Sequence, residues 1–401
     1  MKQCAILLTM VAASSLAQAA SEPVKPVACD PSLVMEPRSI RVYGFHPAKR
    51  QPGSGIVHPK AVIAKLPGTG MPVYVAIDSN DPDIETLDLL RLDFSGTGKF
   101  AGKLTASMRL PGPVKRGRRA SIGPWVLAVT RDGKNIPITV KGSYITHSDT
   151  DHQLRLQLGT ALESTCTFGS KRRRVCLVDG STNLTCTDRA ARAAKPGGLN
   201  SHDTVVVYDD DNSPIKGYYG HPILVDGTWY DVALSADGAK ITVRATDVEM
   251  ATLKIAQQKW TARLFGEKYI LNFSGSDKPI VIPADRYTIG QFRQLSAPNE
   301  KGRTGSFGLT WLRNYRKRGQ KDKKFRAVAG ETVEVSIGTP LTARADASVD
   351  GRTVKLTFTV LDVSGAKVDR VVLPSGNWAQ PKFRILNGKG KVVHSGKLGF
   401  T

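Results

Sequence analysis

The amino-acid sequence predicts an all-β protein built from two or three antiparallel, sandwich-like domains. Short runs rich in Val, Ile, Thr and Tyr alternate with turns rich in Gly, Pro, Asp and Asn along most of the 401 residues. An apolar period of 3.6 residues, which would indicate a helix, stands out only around 84–92, where a loop leading into a strand explains it equally well. Explicit hairpin turns follow several runs and favour antiparallel pairing.

The first strands are predicted where apolar runs stand between turns, at 73–77, 125–129 and 204–208. An Arg-Asp-Gly-Lys turn at 131–134 joins the second of these runs to a further strand at 136–140. A Ser-Ala-Asp-Gly turn at 235–238 likewise joins a strand at 229–234 to one at 240–245. Beyond Glu331 five strands recur at regular spacing, as is typical of a small β-sandwich; they are 332–337, 341–347, 353–361, 382–386 and 392–395.

The N-terminus indicates export. A single Lys2 precedes an apolar run, and Ala17-Gln18-Ala19 provides a small-residue cleavage site, which together predict a secretory signal peptide. No later stretch reaches the roughly 18 apolar residues of a membrane span. We therefore expect a secreted protein, periplasmic or extracellular, with no integral membrane segment after cleavage.

Two polar stretches divide the remaining chain into predicted domains. The loop-like stretch 189–201 contains Pro-Gly-Gly, and a second boundary falls near 298–306 or 319–331, where charge is dense and apolar content drops. The predicted division is a signal peptide at 1–19, an N-terminal β domain with disulfides at 20–195, a second β domain ending in a basic hairpin at 196–330, and an immunoglobulin-like β-sandwich at 331–401.

Four cysteines remain once residues 1–19 are removed: Cys29, Cys166, Cys176 and Cys186. An even number in an oxidising compartment favours two disulfides. Either Cys166–Cys186 or Cys166–Cys176 would close one segment, and Cys29 would tie the N-terminal arm to it. Zinc is the alternative interpretation of this spacing, but structural zinc sites use short C-x(2–4)-C hooks, which the sequence lacks.

The stretch 380–397 resembles the terminal strand pair of an immunoglobulin-like module in uncharacterised secreted multi-domain β proteins of planctomycete-type bacteria. The stretch 225–238 resembles a hairpin of the same proteins. So does 282–287, where Asp285-Arg286 stands in place of the usual Gly before Tyr287. The resemblance covers most of 200–401 and rests on strand and turn patterns. It implies export and an immunoglobulin-like C-terminal module, and it carries over no activity.

No motif identifies a reaction. The sequence contains no G-x-S-x-G, no phosphate-binding P-loop, no G-x-G-x-x-G and no H-E-x-x-H. Paired carboxylates far apart in sequence leave one alternative open, a polysaccharide-active or metal-assisted hydrolase without a recognisable motif. Acidic residues are scarce, so the sequence favours a non-enzymatic binding or structural protein.

Asp-rich turns that follow apolar strands are candidate calcium sites, because alternate side-chain oxygens in a tight loop converge on one ion. The pattern is degraded: in the loop that begins at Asp179, Ala190 stands where calcium loops carry a bidentate Glu. The same residues also form ordinary β-turns unaided, which is the favoured interpretation, and no other cofactor is predicted. The candidate ligands are Asp179, Ser181 and Asn183 in one loop and Asp209 and Asp211 in another.

A basic surface is the strongest chemical signal. The chain carries 57 Lys and Arg against 35 Asp and Glu, a net charge of +22. Such a surface attracts polyanions, and we expect an acidic polysaccharide or another extracellular polyanion as partner. No motif supports specific nucleic-acid recognition. A merely solvated basic surface is the alternative. The candidate residues form three clusters, namely Lys115, Arg116, Arg118 and Arg119; Lys171, Arg172, Arg173 and Arg174; and Arg313, Arg316, Lys317, Arg318, Lys321, Lys323, Lys324 and Arg326, the last with Trp311, Tyr315 and Phe325 interleaved.

Overall fold

A computed structural model gives the structure of the protein. It describes residues 20–33, 35, 40–42, 46–47, 55–57, 61–65, 73–80, 89–101, 105–109, 119–131, 134–146, 152–181, 184–190, 202–298, 304–310, 324–351, 353–368, 370–372, 375 and 382–397. The predicted signal peptide lies outside these residues. Apart from one short 3-10 helix at Pro31–Leu33, the regular structure of the described residues is β-strand, which confirms the all-β prediction. No helix in this part of the chain is long and apolar enough to cross a bilayer.

The strands up to residue 245 are β1 (Ala20–Pro23), β2 (Lys25–Ala28), β3 (Ile40–Val42), β4 (His46–Pro47), β5 (Val62–Lys65), β6 (Tyr74–Asp78), β7 (Leu89–Asp93), β8 (Thr105–Arg109), β9 (Arg119–Arg131), β10 (Lys134–Thr146), β11 (His152–Phe168), β12 (Lys171–Val178), β13 (Thr204–Tyr208), β14 (Pro214–Tyr218), β15 (Ile223–Val225), β16 (Thr228–Leu234) and β17 (Lys240–Ala245).

The later strands are β18 (Met250–Lys254), β19 (Trp260–Gly266), β20 (Ile270–Gly275), β21 (Ile280–Pro283), β22 (Asp285–Pro298), β23 (Thr304–Thr310), β24 (Lys324–Ala327), β25 (Thr332–Glu334), β26 (Thr342–Asp350), β27 (Thr353–Leu361), β28 (Arg370–Val372), β29 (Lys382–Leu386) and β30 (Val392–Lys397). Both hairpins predicted from turn residues are confirmed, since β9 pairs with β10 and β16 pairs with β17, each antiparallel.

The first hydrophobic core lies between two sheets. A five-stranded sheet in the order β4-β5-β6-β7-β8 packs on β9, β10 and the first half of β11. Alternate residues point inward, as they must where only one face of a strand is buried: Leu154, Leu156 and Leu158 of β11 meet residues such as Ile77 and Leu92 of the other sheet.

The second core uses the second half of the same long strand. Residues such as Cys166 and Phe168 of β11, with apolar residues of β12 and β13, pack on the four-stranded sheet β1-β17-β16-β15. The ring of Phe168 meets that of Tyr230 edge to face, with 4.9 Å between their centroids. Strand β1 joins this sheet by pairing with β17, so the beginning of the described chain closes a core formed mainly by residues 160–245.

The third core is built around Trp260. The sheet β21-β18-β25 packs on β19, β20 and β22, and the Trp260 ring lies 5.6 Å from Phe273 and 6.1 Å from Phe292, centroid to centroid. The indole N–H of Trp229 on β16 donates to the carbonyl of Val281 over 2.7 Å, which ties this core to the preceding sheet.

The three cores do not divide at 195/196 and 330/331, where the domain boundaries were predicted from the sequence. Strand β12 pairs with β13 across the first of these positions, and β25 pairs in parallel with β18 across the second. The boundary between the first two cores lies within β11. A loop-like composition shows where the chain leaves a sheet, but the strands before and after the loop can still pair with each other.

The strands predicted beyond Glu331 are present, but they are shared among several sheets. Strand β28 adds to the edge of β23, while β26–β27 and β29–β30 form two separate hairpins. The β26–β27 hairpin is amphipathic, because Ala345 lies opposite Phe358 and Ala347 lies opposite Leu356 on one face. An immunoglobulin-like sandwich of these strands stays a prediction.

The predicted disulfides are absent, and all four cysteines are buried thiols. Cys176 lies opposite Glu163 and Cys166 lies opposite Arg173, so the two cysteines are three residue pairs apart and face opposite sides of the sheet. No disulfide bridges that arrangement. Cys166 and Cys186 both contribute to the second core without a bond, and Cys29 packs near Cys176 in a small cluster on the other face. An even count favoured pairing, but these thiols serve as small apolar residues.

We expect alkylation to detect four thiols in the protein that lacks residues 1–19, without any reductant, once it is unfolded. In the folded protein the reaction near pH 8 should be slow, because burial, followed by the charge of a neighbouring group, raises the pKa of Cys29 and of Cys176 to about 12. Mass spectrometry after iodoacetamide treatment, with and without urea, measures both states. Two or four missing adducts in urea would show that disulfides form after all.

Candidate anion-binding surface

The cluster from Lys171 to Arg174 opens strand β12, directly after a two-residue turn at 169–170. Because side chains alternate along a strand, Arg173 points into the protein and its side chain is only 2% exposed, whereas its neighbours Arg172 and Arg174 are on the surface. Lys171 lies on the same side as Arg173 and is exposed because it begins the strand.

Arg173 is held by two carboxylates. Its guanidinium donates to Asp226 over 2.6 Å and lies 3.3 Å from Asp210. Asp226 occupies the tight β15–β16 turn, where Asp226 and Gly227 both have positive φ. Asp210 belongs to the β13–β14 turn, so Arg173 connects two hairpin tips at the edge of the second core.

The surface members of this cluster also have partners within the protein. Lys171 donates to Asp210 over 2.7 Å, and this hydrogen bond raises the pKa of Lys171 and lowers that of Asp210. Arg172 lies 3.7 Å from Glu22. The Arg174 guanidinium stacks 3.7 Å above the Tyr208 ring and donates to the side chain of Asn212. These contacts stabilise the fold and leave little charge available to a polyanion.

The other two predicted clusters lie largely outside the described residues. This applies to Lys115, Arg116 and Arg118 and to Arg313, Arg316, Lys317, Arg318, Lys321 and Lys323; Arg119 begins β9, and nothing is described of its side chain. Lys324 and Arg326 are exposed on β24, on the face where Arg326 lies opposite Arg286 of β22. Arg286 is 3.4 Å from Glu267.

The C-terminal β29–β30 hairpin carries a basic cluster that the sequence analysis missed. Residues 382–397 contain five Lys and Arg and no Asp or Glu. All five cations are exposed, and none is within ion-pair distance of a carboxylate of the described residues. The signal was in the sequence, but the cations are spaced by single neutral residues or more and do not form a run. They are Lys382, Arg384, Lys389, Lys391 and Lys397.

Strand pairing concentrates this charge on one face. Lys382 lies directly opposite Lys397, and Arg384 lies two residues along the same strand, on the same side. Like charges that face each other across two strands repel and destabilise the pair. On the other face, Phe383 and Ile385 are half-buried, and the Phe383 ring lies 5.8 Å from that of His394. The hairpin therefore has one apolar face and one cationic face.

The turn of the hairpin presents the remaining two cations. The side-chain oxygen of Asn387 accepts hydrogen bonds from the backbone N–H groups of Lys389 and Lys391, over 3.0 Å and 2.9 Å. Gly390 between them has a φ of 74°, a conformation that favours glycine. Asn387 thus fixes the backbone from which both lysines project, next to the cationic face.

The predicted calcium ligands close turns with their own hydrogen bonds. The two carboxylate oxygens of Asp179 accept from the N–H groups of Ser181 (3.0 Å) and Leu184 (2.7 Å). The Oδ1 of Asp209 accepts from the N–H groups of Asp211 (3.0 Å) and Ser213 (2.7 Å). Asn183 lies outside the described residues.

These turns account for the Asp-rich pattern without a metal. In a turn that follows a buried strand, the backbone N–H groups have no strand partner and need acceptors. The side chain of an Asp at the start of the turn supplies these acceptors. Among the described residues, no three His, Cys, Asp or Glu side chains are placed to share an ion.

The carboxyl group of Asp203 is buried close to the Asp179 turn. Its two oxygens accept from the N–H groups of Gly180 (2.9 Å) and Asp188 (2.7 Å), so it joins the Asp179 turn to the segment that precedes residue 190. Burial, and after it the charge of Asp179, raises the pKa of Asp203 to about 8. A carboxyl group used in this way stabilises loops and is not exposed to a ligand.

We expect Arg173→Met to lower the free energy of unfolding by roughly 1–3 kcal/mol, because it removes a buried cation that links two turns. The loss should stay below that of a fully buried ion pair, since Asp226 and Asp210 are about half exposed and regain water. Arg172→Met is the matched control, with the same change of charge, and should cost less than about 0.5 kcal/mol. Urea unfolding measures both; equal losses would refute a structural role specific to Arg173.

We expect the free energy of unfolding to fall between about pH 4 and pH 8 through Asp203. The folded state holds this proton up to about pH 8, whereas the unfolded chain releases it near the ordinary value of 3.8. The folded protein thus binds more protons in this window, and stability decreases as pH rises.

The variant Asp203→Asn tests this, because it removes the titration while keeping one acceptor. Its stability should depend less on pH between 4 and 8 than that of the parent, whatever its absolute value. Asp211→Asn, which changes an exposed carboxylate in the β13–β14 turn, is the control. An unchanged slope in Asp203→Asn would contradict the assignment.

No protein-family model, no curated protein and no solved structure matches this chain. In the described part of the chain, the cations of 171–174 contact carboxylates of the protein itself. The cations of the β29–β30 hairpin are exposed and lie close together.

Proposed function

We propose that this protein is an exported, non-enzymatic binding protein that engages an acidic polysaccharide or a similar extracellular polyanion. The observation that carries the proposal is the cationic face of the β29–β30 hairpin. There, Lys382, Arg384 and Lys397 share one side of two strands with no carboxylate among residues 382–397. The cations of Lys171–Arg174, by contrast, are largely paired with carboxylates of the protein itself. This difference supports a binding role for the hairpin that basic composition alone would not.

Repulsion within the hairpin supports the proposal. A polyanion placed along the cationic face would neutralise the facing pair Lys382 and Lys397, so binding would relieve a cost that the free hairpin carries. The five cations extend over a hairpin of about 20 Å, estimated from about 3.4 Å per strand residue. An extended polymer with a regularly repeated negative charge matches that shape better than a compact anion does.

The segment 313–326 contributes to the same function in this proposal. Lys324 and Arg326 at its end are exposed on β24 beside Arg286, and the sequence before them adds further cations and the aromatic residues Trp311 and Tyr315. The net charge of +22 adds long-range attraction, which salt screens beyond about 10 Å.

We expect the protein without residues 1–19 to bind a heparin-like support and to elute at a salt concentration that falls sharply when the hairpin cations are replaced by Ser. The matched control replaces five exposed lysines from other parts of the surface by Ser, with the same change of net charge. The hairpin variant changes Lys382, Arg384, Lys389, Lys391 and Lys397, and the control variant changes Lys99, Lys240, Lys259, Lys278 and Lys355.

Nucleic-acid and neutral-glycan supports complete the comparison. A third variant measures how much the 313–326 segment contributes to heparin binding; it changes Arg316, Lys317, Arg318, Lys323 and Lys324 to Ser. Equal losses in the hairpin and control variants would mean that only diffuse charge binds. Failure of the parent to bind heparin at physiological salt would overturn the proposal altogether.

A further inference from the structure

A cavity of about 580 Å³ lies on the outer side of the β16–β17 strand pair. Asp231 and Ala233 of β16 lie opposite Arg244 and Thr242 of β17, and these four residues share the face that points away from the second core. The volume falls within the range of small-molecule sites, about 300–1,000 Å³. The β29–β30 hairpin contributes no residue to the lining, so this is a second, separate site.

Three cations and one carboxylate line the cavity. Arg244 is 3.5 Å from Asp231, its cross-strand neighbour. Arg189 and Lys268 enter from two other walls, and neither forms an ion pair with a carboxylate of the described residues. Two positive charges are thus available to a ligand.

The Arg189 side chain is positioned by its packing. A Cβ on Gly220 would meet the Cβ of Arg189 at 3.1 Å, and Gly220 has a φ of 89°, so this position strongly favours glycine. The Arg189 guanidinium lies 5.5 Å from the centroid of the Tyr219 ring. The methylene groups of Arg189 therefore lie on the backbone at Gly220, which directs the charged end along one wall.

His221 connects this wall to the opposite one. Its Nδ1 accepts a hydrogen bond from the backbone N–H of Ile270 (3.2 Å), so Nε2 carries the proton and donates to the carbonyl of Ala190 (3.1 Å). The imidazole is only 4% exposed. A neutral histidine in this tautomer holds the residue after Arg189 and the residue after Tyr269 at a fixed separation.

Asp285 places the third wall. One of its oxygens accepts from the N–H groups of Lys268 (2.7 Å) and Tyr269 (3.2 Å), and a Cβ on Gly266 would collide with that oxygen. This explains why Asp stands at 285. The carboxylate orders the β19–β20 turn, and the turn brings Lys268 and Tyr269 to the cavity.

We propose that this cavity binds a single carboxylated sugar unit, a hexuronate. The two available cations match one carboxylate, which Arg binds in a planar, two-pronged geometry. Asp231 accepts hydrogen bonds from sugar hydroxyl groups and repels a doubly charged phosphate. Tyr269 and the apolar residues Pro222 and Val248 of the lining suit the C–H face of a sugar ring. A ligand with one negative charge, several hydroxyl groups and an apolar face satisfies all parts of the lining.

Calorimetric titration of the protein without residues 1–19 with D-glucuronate, D-glucose and inorganic phosphate tests the site. We expect saturable binding of glucuronate, with an affinity at least about tenfold above that of glucose and of phosphate. The double variant Arg189→Gln/Lys268→Gln should weaken glucuronate binding at least about tenfold. The matched control Lys240→Gln/Lys278→Gln changes two exposed lysines outside the lining and should leave the affinity unchanged.

A second variant guards against loss of folding in the first. Ala233→Trp fills the cavity from its floor and should abolish glucuronate binding while the melting temperature stays near that of the parent. Equal affinities for glucose and glucuronate, tighter binding of phosphate, or full affinity in either the double variant or Ala233→Trp would overturn the proposal. The five-Ser hairpin variant should keep its glucuronate affinity, so that failure of the hairpin proposal and failure of this one are told apart.

Discussion

Alternation along one strand is the constraint on which most of this structure depends. The 17 residues of β11 pair with β10 and β3 in their first half and with β12 and β2 in their second. Even-numbered residues of the strand face inward throughout, so Leu154–Leu158 supply the first core and Cys166–Phe168 the second. A shift of register by one residue would turn both sets outward at once. The register of β11 therefore fixes the packing of both cores, and it cannot shift in one core without shifting in the other.

Carboxylates at the ends of buried strands hold the neighbouring turns in place. The number of acids that serve the fold in this way determines which positive charges remain available for binding. Asp179, Asp203, Asp285 and Asp362 are all buried, and each accepts backbone N–H groups of a neighbouring turn. Asp210 and Asp226 instead neutralise Arg173. These acids therefore serve the fold itself. Positive charge in excess remains on the β29–β30 hairpin, which has no acid, and around the β16–β17 cavity, where three cations stand against Asp231 alone.

Local patterns were enough to predict strands and turns, because alternation and Asp-Gly or Asn-Gly turn residues act over a few positions. Partnerships between distant residues were not predictable in this way. The run Lys171–Arg174 looked like a binding cluster, although its partners Asp210 and Asp226 lie 35 residues or more away. The cysteines looked paired because their number was even, although register puts Cys166 and Cys176 on opposite faces. Arg189, Arg244 and Lys268 reach one cavity from three separate segments, and nothing in their sequence spacing indicates it.

The two proposed sites differ in what they can discriminate. Exposed lysines and arginines on a hairpin attract any extended polyanion, and salt weakens that attraction because water surrounds each charge. A cavity whose walls are fixed by His221 and Asp285 excludes part of that water, and it sets two cations, a hydroxyl acceptor and an apolar surface at defined positions. Binding by net charge is therefore unselective, whereas the proposed cavity recognises the carboxylate, the hydroxyl groups and the apolar face of one sugar unit of the polymer. A protein with only the first feature would bind DNA and acidic glycans alike; the mixed lining of the cavity, with Asp231 among the cations, is what favours a carboxylated sugar.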